Sequence, residues 1–162
     1  MNRLFALTVV SVFVLFAGSV RADTITGNVS AQIILPLTII EEVPMKFGKI
    51  MTPVAGGTVT LASASNTITT TLSHVAGTQQ RGFFTVEGEA GMPITISFPS
   101  STTVTDANSN TMTVDNFTHA AGPTPAIGWG GEISFRVGAR LTVDNDQPPG
   151  IYTGTYTITV AY

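Results

Sequence analysis

The sequence predicts an all-β protein, an antiparallel sandwich, from three observations. Short runs with a side-chain period of two recur along the chain. Gly, Pro, Asn or Asp bounds each of them at intervals of about ten residues. No stretch carries a convincing helical spacing of apolar residues.

Residues 1–22 read as a cleaved secretory signal. Arg3 supplies a positive start, "LFALTVVSVFVLFAG" an apolar run, and Val20, Arg21 and Ala22 precede the cut, with Asp23 as the first mature residue. The run is too short for a good membrane span, so no insertion is expected after cleavage. Removing 22 of 162 residues leaves 140, a single domain by size.

The mature segment opens "DTITGNVSAQIILPLTII". Ile25, Val29, Ala31, Ile33 and Leu35 are apolar and odd-numbered, with Gly27 the one break in the row, while Thr24, Thr26, Asn28, Ser30 and Gln32 are polar. This is the pattern of a half-buried strand. No hairpin turn follows it, and the next punctuation is Pro36, inside an apolar run. Residues 23–36 are therefore expected to form an arm whose groove lies in another molecule, and residues 37–162 the sandwich.

Later runs share the period. "VPMKFGKIM" places Met45 and Phe47 together, "GFFTVEGEAG" Phe84, Val86 and Gly88, "MPITISFPS" Ile94, Ile96 and Phe98, and "NTMTVDNFT" Met112 and Val114. "GEISFRVGARLTV" puts Ile133, Phe135, Val137, Ala139, Leu141 and Val143 on one face. "GIYTGTYTITVAY" does the same for Tyr152, Tyr156, Ile158, Val160 and Tyr162. "DNDQPPG" between these two is a tight polar connection, which predicts that they are hairpin partners. An uncovered edge along the last strand, with its partner around Phe135, is then the expected acceptor for the arm; such an edge needs a filling strand to stay soluble.

Composition limits the functions. After signal removal 5 basic residues stand against 10 acidic ones, which argues against a nucleic-acid partner. Cysteine is absent, so an exported domain would rely on burial and strand pairing alone. Charged residues are only 10% of the chain, and a neutral, hydroxyl-rich surface suits packing in an array.

No enzyme is predicted, and no cofactor or metal. His74 and His119 lie in different segments without metal-site spacing and read as surface or loop residues. Glu87 and Glu89 both point to water, opposite Phe84 and Val86. Asp144, Asn145 and Asp146 are ordinary turn residues without a calcium-loop spacing. Trp129, the only tryptophan, sits among glycines in "AIGWGGE". It reads as a cap on one end of the core, or else as a ring for ligand contact through stacking on sugar.

The arm, "MKFGKI", "VGARLTV" and the closing "PPGIYTGTYTITVAY" together resemble domain-of-unknown-function family 4402, short secreted bacterial β-proteins similar to chaperone-usher fimbrial subunits. The resemblance spans essentially the whole mature chain. It implies an immunoglobulin-like sandwich of about seven to nine strands that lacks its last strand. It further implies head-to-tail polymerisation with copies of itself by donor-strand exchange, a periplasmic chaperone and outer-membrane usher as partners, and passage through the periplasm to a fimbria on the cell surface. Ile25, Gly27, Val29, Ala31, Ile33 and Leu35 match the donor row, and Tyr152, Tyr156, Ile158, Val160 and Tyr162 the C-terminal strand. Two departures stand out: the aromatic is the last residue rather than the penultimate one, and no disulfide is possible. The alternative is a monomeric secreted module, a matrix or binding protein directed at carbohydrate through Trp129.

Overall fold

A computed structural model describes residues 21–65, 67–73 and 75–162. Residues 1–20, where the sequence predicts a signal, together with Asn66 and His74, lie outside the described residues. The chain divides into two units, residues 1–32 and 33–162. The described part of the first, 21–32, contains no helix or strand and every residue in it is exposed.

The second unit contains only strands among its described residues. They are β1 (Thr38–Val43), β2 (Lys49–Ile50), β3 (Gly57–Leu61), β4 (Ile68–Thr70), β5 (Val75–Ala76), β6 (Gly82–Glu87), β7 (Thr95–Ser97), β8 (Ser101–Thr105), β9 (Thr111–His119), β10 (Glu132–Val143) and β11 (Thr159–Ala161). All their pairings are antiparallel, and the architecture is a β-sandwich.

β10 organises the larger sheet. Val137 pairs with both Gly82 and His119, and Leu141 with both Val59 and Val114. β6 and β3 therefore lie end to end along one edge of β10 and β9 along the other. β1 adds outside β6, β4 outside β3 and β8 outside β9. At 12 residues β10 is about 40 Å long, so its two ends mark the two ends of the domain. Arg140 and Asp115 face each other across β10 and β9 in a two-point ion pair of 2.8 Å contacts, which holds the Asp115 carboxyl below the usual carboxylate range.

Alternation along β10 buries Phe135, Val137, Ala139, Leu141 and Val143, as their spacing predicts. Two apolar clusters result. The first joins Phe84, Val86, Ile94, Ile127, Phe135 and Val137, and is covered by Ile96 of β7 and by Ile158 and Val160 of the C-terminal segment. β7 and β11 pair with each other there, so the front layer is complete over this half. The second cluster is Val114, Ala139, Leu141 and Val143, against which Met45, Phe47, Ile50, Val104 and Met112 pack while staying only partly buried.

One predicted pairing is corrected. β10 and the C-terminal segment are not hairpin partners: β11 pairs with β7, and Thr153 bridges Thr105 of β8. Phe135 lies in the opposite layer, its ring 6.0 Å from Phe84, which is in turn edge-on to Tyr156. The turn after β10 crosses between layers, which a tight polar connection allows as readily as a hairpin. His119 is also corrected: it is half-buried on β9, set against Phe98 and edge-on to Phe135.

Phe135 is 2% exposed at the centre of the first cluster. Phe135→Ala is expected to lower unfolding free energy by about 3–5 kcal/mol, read from urea denaturation followed by circular dichroism.

Candidate functional site

Over the second cluster the front layer is open. Two segments bound the opening, residues 45–53 and residues 147–156, and between them lies a slot of about 830 Å³. Its floor is Val104, Met112, Val114, Leu141 and Val143, the core itself.

Each wall is hydrogen-bonded on one side only. Lys46 exchanges both backbone bonds with Gln80 at 2.8 Å, and Lys49 and Ile50 pair with Ala76 and Val75. On the opposite wall Thr153 exchanges bonds of 2.8 and 3.0 Å with Thr105, and the Thr155 carbonyl accepts from the Thr102 hydroxyl. Backbone groups alternate between the two edges of a strand. Those of Met45 and Phe47, and of Tyr152 and Gly154, consequently face the slot, and among the described residues they form no backbone hydrogen bond. Two apolar-floored edges face each other with room between them for a further strand.

The walls run antiparallel. Tyr156 and Met45 both pack against the first cluster at one end, while at the other the Asp146 amide donates to the Pro53 carbonyl at 2.8 Å. Beyond Tyr156 the walls converge as β1 and the segment 158–162. There the Tyr162 hydroxyl donates to the Leu35 carbonyl and accepts from the Glu89 amide, both at 2.7 Å, and the Leu35 amide donates to the Glu89 carboxylate at 3.2 Å. Gly88 makes room for this, since a Cβ there would lie 2.5 Å from the Tyr162 oxygen and 2.7 Å from Leu37.

Among the described residues, the charged side chains lining the slot are Lys46 and Lys49. Tyr156 stacks on Phe117 at 5.0 Å, and its buried hydroxyl has no hydrogen-bond partner among the described residues. Burial, with a smaller contribution from the Glu41 carboxylate, pushes its pKa above the ordinary phenol value.

A family model described as Domain of unknown function (DUF4402) matches residues 37–162. The chain belongs to this family. No curated protein and no solved structure matches it. The family match begins one residue after Pro36 and covers both walls of the slot, whereas residues 23–36 precede it.

The residues singled out from sequence are distributed as follows. Tyr152 and Tyr156 line the slot, whereas Ile158 and Val160 pack on the first core cluster. Tyr162 is outside the slot and holds Leu35. Ile25, Val29 and Ile33 are each 98% exposed. Gly27 has nothing within 4 Å of where a Cβ would be, and Ala31 is exposed. Glu87 is exposed, and Glu89 is half-buried beside Leu35. Trp129 does not cap the core: it is 93% exposed on the Gly128–Gly131 turn. The wall 45–53 was not identified as an edge from sequence. Its signal was two prolines, Pro44 and Pro53, bracketing an alternating run interrupted by Gly48.

Tyr156→Phe removes a buried hydroxyl that bonds to nothing, so the variant is expected to match the parent in stability or exceed it by up to about 1 kcal/mol in urea. Tyr162→Phe should instead lose about 0.5–1.5 kcal/mol per hydrogen bond, and the Glu89 amide, which donates to that hydroxyl, should exchange faster with deuterium.

Proposed function

We propose that this chain is the structural subunit of a fimbria-like surface fibre, and that it polymerises by donor-strand exchange: the arm of one copy fills the slot of the next. The slot between two half-bonded edges carries this reading. An inserted strand would bond to both walls and press alternate side chains onto the core floor, which is recognition by β-augmentation.

Dimensions agree with it. The wall 45–53 is nine residues long, about 30 Å, and so is the row Ile25–Ile33. Leu35 is tied by its backbone within its own domain, so the inserted row is Ile25, Gly27, Val29, Ala31 and Ile33. Full burial of Ile25, Val29 and Ile33 would contribute about 1.5–3 kcal/mol each. A head-to-tail contact of this kind repeats into an open filament. A periplasmic chaperone would shield the slot before assembly and an outer-membrane usher would export the product, since an unfilled edge aggregates.

Mature protein run unboiled on a denaturing gel is expected to show a ladder of multimers that boiling collapses. Val29→Asp places a charge in the middle of the inserted row and should abolish the ladder while leaving the monomer folded. A mature protein that stays monomeric at every concentration supports the secreted binding or matrix module instead.

A further inference from the structure

Apart from the arm and the edge strand β1, the exposed large apolar side chains gather at two places. One is the end of the domain where β10 begins. Glu132 opens β10 opposite Glu87, the Gly88 amide donates to the Gly131 carbonyl at 2.9 Å, and Leu35 is bound to Glu89 and Tyr162 close by. Trp129 stands on the turn at this end, its ring 3.6 Å from where a side chain at Gly91 would start. The second place is the end where β10 stops. Pro53 is bonded to Asp146 there, and Met51, Val54 and Ile151 are 63%, 89% and 85% exposed.

The slot determines which of these ends an inserted arm leaves from. At Met45 and Tyr156 the walls close over core, continuing as β1 and 158–162 until Tyr162 meets Leu35. A donor strand covalently tied to its own domain cannot exit there. It must leave past Pro53, between Met51 and Ile151. Its own Leu35, and with it the Trp129 end of its domain, then comes up against Met51, Val54 and Ile151 of the acceptor.

We infer that Trp129 is an interface residue, and that its partner is a second copy of this chain: its ring seats on the apolar collar of Met51, Val54 and Ile151. This rests on the exchange reading and adds a body-to-body contact to it. The two patches are different surfaces at opposite ends, so the contact is heterologous and repeats without closing. An indole on a turn held by two backbone bonds of 2.9 Å supplies large apolar area with little loss of freedom on docking. It also gives a physical reason for a ring that, on one copy, covers none of the core.

Trp129 is the only tryptophan, so its fluorescence reports this contact directly. Separated monomer and polymer of the mature chain are compared by emission wavelength and by iodide quenching. On polymerisation the emission is expected to move to shorter wavelength and quenching to fall several-fold. The substitution V54D, at a collar residue that does not line the slot, should keep the multimer ladder while moving both readings back toward monomer values. Polymer with unshifted emission overturns the Trp129 seat and leaves strand exchange standing. A shift that survives V54D overturns the collar as its partner. If no polymer forms, the exchange reading falls and the seat with it.

Discussion

Two backbone edges face each other across the second core cluster, each bonded on its outer side and open on its inner side. Hydrogen-bond accounting makes this arrangement the constraint on everything else. Backbone N–H and C=O groups beside an apolar floor are costly to leave without partners, and water can serve them only by wetting the floor. One extended segment placed between the walls satisfies both edges and buries the half-exposed Val104 and Met112 together. Over the first cluster β7 and β11 thus close the front layer, whereas over the second the half-buried Met45, Phe47, Ile50, Val104 and Met112 are left beside the slot.

The C-terminal segment performs two tasks along its length. Its first part, 147–156, is a wall of the slot; its last residue fixes the point from which the chain's own arm departs. Because Tyr162 grips a carbonyl and an amide rather than a side chain, it fixes backbone position at Leu35 whatever the residue there. Free length therefore begins immediately before Leu35, which matches the reach of the alternating row to the length of the wall. Under the proposed exchange, a fixed departure point would leave the joint between copies few degrees of freedom and favour a filament over a tangle.

Much of the frame was legible in the residues themselves. Strict alternation located the buried faces of β6, β9 and β10 because a period of two leaves one face to bury, and β10 satisfies this from Phe135 to Val143. Partner choice was not legible: "DNDQPPG" can end a hairpin or cross between layers, and only contacts distant in sequence, such as Thr153 with Thr105, decide which. The slot was half legible. Its C-terminal wall carries an alternating aromatic row, whereas its other wall is broken by Gly48 at a positive φ of 89° and has only two residues of regular strand. Trp129 misled because a large ring suggests burial, while a turn closed by Gly128 and Gly131 holds it in solvent.

Backbone hydrogen exchange, compared between isolated monomer and assembled polymer of the mature chain, tests the central claim most directly. Insertion of the arm predicts strong new protection along the amides of residues 25–33, which bond alternately to the two walls, and, in the same samples, at Met45, Phe47, Tyr152 and Gly154 on the walls. Arm amides that exchange as fast in the polymer as in the monomer, with the walls unchanged, would contradict it.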